Sequence, residues 1–168
     1  MKRVLVLTVA LLVVVSTLLV TAAPALSCTP CRWTGGGTIG TSRDPRVTHG
    51  FELHCSVDQL PNNLEVNWGG NHFHLDVLTM VECADDPAIN PKPPRAGSDT
   101  YHGLGVGRCN GVEGYQAEWI FTDAGEPGNN DWAWIVIKDA GDNTVMEVSG
   151  FLTKGNQQAH NGTGVDAT

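Results

Sequence analysis

The chain has 168 residues and a formal net charge of −8, with 41% apolar and 17% charged residues. That length holds one domain, or one domain with tails, and the apolar content is too high for a disordered chain. The low charge, together with Gly and Pro at about 17%, excludes a coiled coil or a solenoid of charged helices, and the negative balance argues against a nucleic-acid-binding surface.

Lys2 and Arg3 precede an apolar run from Val4 to Val20, broken only by Thr8, Ser16 and Thr17, and Ala23-Pro24-Ala25 follows. A basic start, an apolar stretch and a small-x-small end predict a signal peptide over residues 1–25, with the mature chain beginning near Leu26. An uncleaved anchor fits less well, because the run is short for a spanning helix and no basic stop-transfer cluster follows it. Loss of Lys2 and Arg3 with the leader takes the net charge to −10. The expected location is secreted or at the cell surface. Lipidation of Cys28, which follows the small Ser27, is an alternative, but Ala25 stands where a lipoprotein signal carries a large aliphatic residue.

Residues 26–34 read as a Cys-containing N-terminal tail, 35–160 as a β domain and 161–168 as a disordered C-terminal tail. Five cysteines, Cys28, Cys31, Cys55, Cys83 and Cys109, enter an oxidising compartment, so disulfides are expected and one thiol is left over. The Cys28-x-x-Cys31 spacing has no second CxxC partner and no βαβ context, which favours a structural role or local disulfide over redox or zinc chemistry.

No window of about twelve residues keeps a 3.6-residue apolar period, whereas alternation with period two recurs. Val47, His49, Phe51, Leu53, Cys55 and Val57 alternate with polar residues or glycine. Phe73, Leu75, Val77, Val81 and Cys83 do the same, with Leu78 and Met80 as exceptions. Cys55 and Cys83 thus point inward near strand ends and are predicted to pair, with Cys109 joined to Cys31 or Cys28. Tyr115 to Thr122 alternates again, Trp132 to Lys138 is apolar almost throughout, and Val145 to Leu152 closes the series. Turn-forming segments at 60–63, 68–71, 125–130 and 140–143 separate these runs. Asp85 to Thr100, with four prolines, reads as a long irregular loop, and Gly103-Leu104-Gly105-Val106-Gly107 as a glycine-faced strand rather than a dinucleotide loop. The expected fold is an all-β, antiparallel β-sandwich, immunoglobulin-like or Greek-key, with a small β-barrel as the alternative.

An ordered set of motifs carries a resemblance. It comprises Gly35-Gly36-Gly37, His49-Gly50-Phe51-Glu52-Leu53, Asn63-Leu64-Glu65-Val66-Asn67-Trp68 and Phe73-His74-Leu75. Asp85-Asp86-Pro87-Ala88-Ile89, Asp123-Ala124-Gly125-Glu126-Pro127-Gly128 and Gly155-Asn156-Gln157-Gln158-Ala159-His160 complete it. From Gly35 to His160 the chain resembles the post-COAP-type domains, a group of exported bacterial all-β modules. The resemblance implies an extracellular β module and brings no catalytic residues. Trp132 and Trp134 depart from it, since smaller or polar residues are expected at those positions, and the leading Cys28-Thr29-Pro30-Cys31 segment is an addition.

Three constellations could carry chemistry. His54, His72 and His74, with Asp76, lie on non-core strand faces and could ligate zinc or copper, although a polar outer face also collects histidines. Asp123, Glu126 and Asp131 flank a Gly/Pro turn and offer hard oxygens for calcium, although such a turn also keeps its acids solvated. Trp132 and Trp134 share one side of their strand. If Ile135 and Ile137 face the core, both indoles stand outside as a platform for a sugar ring or a partner's side chain; otherwise they fill the core. β-Branched Ile135 and Ile137, and the loop residue Asp131 before them, favour isoleucines inside.

No Gly-x-Ser-x-Gly, His-Glu-x-x-His or Walker pattern occurs. The expected function is therefore a non-enzymatic exported module, a monomer binding a glycan or an extracellular protein, with no cofactor beyond calcium as a candidate and no membrane span in the mature chain. A small secreted hydrolase using a carboxylate or metal–histidine site is the alternative, although scattered acids such as Glu65 and Asp76 have no distinguishing spacing.

Overall fold

A computed structural model describes residues 31–40, 46–93 and 95–161. The expected signal peptide, Cys28 and the chain beyond Asn161 lie outside the described residues. The strands are β1 (Arg32–Ile39), β2 (Val47–His54), β3 (Asn63–Trp68), β4 (Asn71–Ala84), β5 (Thr100–Cys109), β6 (Val112–Thr122), β7 (Trp132–Lys138), β8 (Thr144–Phe151) and β9 (Lys154–His160). Residues 32–34, expected in the N-terminal tail, form the start of β1. Among the described residues there is no α-helix, only a single 3-10 turn at Gly128–Asn130.

All nine strands belong to one sheet in the order β8-β7-β6-β5-β4-β3-β2-β1-β9, and every pairing is antiparallel. The sandwich is therefore corrected to a single curled sheet, a half-barrel. From β1 to β8 each strand pairs with the next in the chain, so none crosses to a second sheet. Alternation and turn signals look alike in a meander and a sandwich, because both bury one face of each strand.

The two edge strands are consecutive in the chain, joined only by Leu152 and Thr153. Because direction reverses at every pairing, β8 and β9 run the same way. They are in effect one kinked strand that pairs first with β7 and then with β1. At the kink, the Leu152 amide donates to Asp131 O at 2.9 Å and the Thr153 amide to Thr38 O at 2.8 Å. The sheet's own chain thus ties its edges together.

The concave side is filled by apolar side chains. Trp33, Leu53, Leu64, Phe73, Tyr101, Trp119, Phe121 and Ile135 are fully buried there. Phe51 and Phe121 stack with centroids 4.6 Å apart, and His49 lies over Phe121 at 5.0 Å. Gly103, Gly105 and Gly107 make room for this filling, as a glycine-faced strand would. A Cβ at Gly103 would come 2.4 Å from Trp119 Cζ2, and one at Gly105 would come 2.3 Å from Leu75 Cδ1.

β4 departs from simple alternation. Register shifts lie between Leu75 and Val77 and between Leu78 and Met80. Such bulges reverse which side chains point inward. Val77, expected inside, is therefore 54% exposed, and Leu78, an exception in the alternation, is buried.

Cys55 and Cys83 form a disulfide with Cα atoms 5.8 Å apart. The second expected pairing is corrected, because Cys109 carries a free, buried thiol while Cys31 is disulfide-bonded. Cys31 O accepts the Cys55 amide at 3.1 Å, so it sits at the Cys55–Cys83 end of the sheet. Cys109 pairs with Phe73 and Val112 at the other end of β5. A ten-residue strand puts roughly 30 Å between those ends.

Candidate functional site

β7 alternates as the isoleucine-inside register requires. Ala133, Ile135 and Ile137 have no exposed surface, while Trp132 and Trp134 are half-buried on the outer face. The neighbouring strands extend the apolar character. Trp132 lies opposite Phe151 on β8, which is 64% exposed, and Trp134 lies opposite Ile120 on β6. Trp134 Nε1 donates to Glu147 Oε1 at 3.1 Å, which fixes that indole against the sheet. Trp132 is held through its backbone, since Thr122 Oγ1 accepts its amide at 2.9 Å and donates to its carbonyl.

Beside the indoles a shallow groove crosses β5, β6 and β7, lined by Leu104, Val106, Gln116, Glu118, Val136 and Lys138. Its polar rim is paired: His102 Nε2 meets Glu118 Oε1 at 2.8 Å, and Lys138 Nζ meets Asp142 Oδ1 at 2.8 Å. The outer face of β5–β8 therefore combines flat aromatic surface with hydrogen-bonding groups at its margin. This is what stacking on a sugar ring uses, a hydrophobic face together with polar edges.

The acidic loop between β6 and β7 is built differently. Asp131 is fully buried and Asp123 nearly so. Asp131 Oδ1 accepts the Ala124 amide at 2.9 Å and Oδ2 the Gln157 amide at 2.8 Å. Asp123 Oδ1 accepts the Gly125 amide and Oδ2 the Ala159 amide, each at 2.8 Å. Glu126 Oε1 accepts from Asn156 Nδ2 at 2.8 Å. All three acids reach β9 or its neighbours, and the two aspartates use their four oxygens on backbone amides. They latch β9 to the β6–β7 loop. Burial pushes Asp131 up to about 6, against the pull of its two amides, and raises Asp123 in the same direction.

The histidines do not come together as a trio. The Glu65 carboxylate accepts from both His72 Nε2 and His74 Nδ1, and Asp76 is held by Arg108. His54 Nδ1 instead pairs with Pro61 O at 2.8 Å. Among the described residues no group of three or more His, Cys, Asp or Glu side chains is disposed to hold a metal ion.

No family model, curated protein or solved structure matches this chain. The outer face must be read from its own chemistry.

Three features escaped the sequence. Phe151 and Glu147 complete the aromatic face, but only the β7–β8 register reveals them. The aspartate latch reads as a solvated turn until β9 is placed. A buried polar pair lies inside the sheet, where Gln157 Nε2 donates to His49 Nε2 at 3.1 Å and burial drives His49 down to about 4. The one available signal was His49 itself, a histidine in the apolar register of its strand.

Proposed function

We propose that this chain is an exported, non-enzymatic binding module whose outer β7–β8 face takes a carbohydrate by stacking on Trp132 and Trp134. The observation that carries the reading is the strand parity of β7. It spends Ala133, Ile135 and Ile137 on the core and holds two indoles at the surface beside Phe151. Large aromatic side chains gathered on one exposed face are costly in water without a partner. The leader-like N-terminus and the Cys55–Cys83 disulfide support an oxidising, extracellular setting. Among the described residues no helix is long and apolar enough to cross a membrane. The resemblance to post-COAP-type modules agrees with this reading and rests on its motifs alone.

The test is tryptophan fluorescence during titration with a panel of soluble oligosaccharides. Trp33 and Trp119 have no exposed surface, so a ligand-induced change reports chiefly on Trp132, Trp134 and the half-buried Trp68. At least one glycan is expected to shift the emission, and Trp132→Ala/Trp134→Ala to abolish the shift while unfolding stays cooperative. A double variant that fails to fold, or that keeps full glycan binding, overturns the proposal.

A further inference from the structure

The apolar character of the outer face does not stop at the indoles. β5 keeps its glycines inside, so its apolar residues stand outside, Leu104 half-buried and Val106 exposed. The register carries this row toward β7. Leu104 pairs with Glu118 and Glu118 with Val136, while Val106 pairs with Gln116 and Gln116 with Lys138. Val136 follows Trp134 by two residues on the same side of β7. The groove over β5–β7 is therefore continuous with the indole surface, and it extends along the strands in the direction already set by Trp132 and Trp134. Gln116 lies one strand over and level with Lys138, four residues beyond Trp134, which is roughly 14 Å along the sheet. That is about three strand spacings of about 4.8 Å, and a pyranose ring covers about one. A ring stacked on Trp134 leaves the groove uncovered as far as Gln116.

The polar groups of the groove differ in what they have left to offer. Glu118 is engaged by His102 and Lys138 by Asp142, and Thr79 Oγ1 donates to Leu104 O at 3.1 Å. Gln116 is exposed, and its carboxamide has no partner among the described residues. A free carboxamide offers an acceptor and two donors side by side without charge. Neighbouring hydroxyls on one sugar ring answer that pattern, each being donor and acceptor at once. Lys138, already paired and set on a chain of net charge −8, gives an acidic sugar little to hold, and the pairing of Glu118 does the same for a cationic one.

Given that Trp132 and Trp134 stack on sugar rings as proposed above, we infer that the ligand is a neutral oligosaccharide of at least four rings. It runs from the indoles along β7 into the groove, where the Gln116 carboxamide grips the hydroxyls of the ring beyond the stack. Gln116 sets the preference for uncharged chains, and the indoles supply the apolar hold.

The test is calorimetric titration of the full mature protein with β-1,4-linked glucose, mannose and xylose oligomers, each as dimer and pentamer. Pentamers of galacturonic acid and of glucosamine serve as the acidic and cationic counterparts. At least one neutral pentamer should bind about tenfold or more tightly than its own dimer, and both charged pentamers more weakly than it. Gln116→Ala removes one or two uncharged hydrogen bonds at an exposed position. It should weaken the pentamer about threefold to tenfold and leave the dimer unchanged, with unfolding still cooperative. Trp132→Ala/Trp134→Ala should abolish binding of both lengths. Equal binding of dimer and pentamer, a pentamer indifferent to Gln116→Ala, or tighter binding of a charged pentamer overturns the inference and leaves the stacking reading standing. No neutral pentamer bound at about 1 mM, or binding that survives loss of both indoles, overturns the stacking reading and the inference with it.

Discussion

Asp131→Asn should convert a nearly level dependence of stability on pH, between about pH 4 and pH 6, into one that rises with pH. Asp131 moves from an ordinary value of 3.8 to about 6 on folding, because it is buried. Between those values the folded chain holds a proton that the unfolded chain has released. The resulting stabilisation is complete below 3.8 and lost as pH rises through 6, and is worth about 3 kcal/mol. His49 acts in the opposite sense. Burial takes it from 6.5 to about 4, so its stabilisation is complete above 6.5 and lost as pH falls through 4. That too is worth about 3 kcal/mol. The two slopes oppose each other over the same range; burial raises Asp123 and Asp99, which adds to the Asp131 side, and lowers His160, which adds to the His49 side.

Urea denaturation midpoints at several values between pH 4 and pH 7 separate the two groups. Asp131→Asn leaves His49 alone and should give a rising profile. It should also cost about 1–3 kcal/mol at pH 7, since an amide nitrogen must face one of the two backbone N–H groups that Asp131 accepts. His49→Gln leaves the aspartates alone and should give a falling profile. If Asp131→Asn keeps the wild-type profile, the carboxylate is not desolvated in the fold, and the latch on β9 is not what closes this end of the sheet.

Two further substitutions or probes read the interior. Gly103→Ala places a Cβ 2.4 Å from the Trp119 ring, so the indole must shift in a packed core; a loss of about 1–3 kcal/mol is expected in chemical denaturation, and an unchanged midpoint would show that the ring has slack. Cys109 is buried and its thiol is raised by that burial, so a thiol reagent should label it slowly in the native state and at once in urea; prompt native labelling would contradict its placement.

The sequence made the strands with strong alternation legible and hid the others for identifiable reasons. β2, β6 and β7 carry their period in apolar residues, so their inward faces could be read directly. β1 holds Gly35, Gly36 and Gly37 where alternation should appear. The backbone explains them: a Cβ at Gly35 would stand 2.3 Å from Asn156 O, and one at Gly36 would stand 2.4 Å from His49 O. At Gly35 and Gly36 the backbones of β9 and β2 approach β1 too closely for a side chain. β9 reads Lys-Gly-Asn-Gln-Gln-Ala-His and offers almost no apolar signal. Its inward Gln157 is buried by a polar contact with His49, and its outer amides are satisfied by carboxylates. Hydrogen bonding takes the place of hydrophobic pattern there, and periodicity cannot detect it.

The same reasoning bears on where a ligand can be met. The concave side of a half-barrel is the obvious place to look, but here Trp33, Phe73, Tyr101, Trp119 and Phe121 occupy it with no exposed surface. Glycines at 103, 105 and 107 let that filling reach the backbone of β5 itself. Opening the inside to a small molecule would expose these rings, and burying each aromatic side chain contributes on the order of 2–3 kcal/mol, so the interior resists being emptied. The proposed recognition through the outer face is the alternative that leaves this core intact, since Trp132, Trp134 and Phe151 stand there on β7 and β8. The side of the indoles was legible because alternation leaves two registers and the β-branched Ile135 and Ile137 favour the one that buries them. That β8 and β9 end the sheet was not, since which strand ends a sheet is a property of the whole topology, and a strand that pairs on one side carries the same alternation as one that pairs on both.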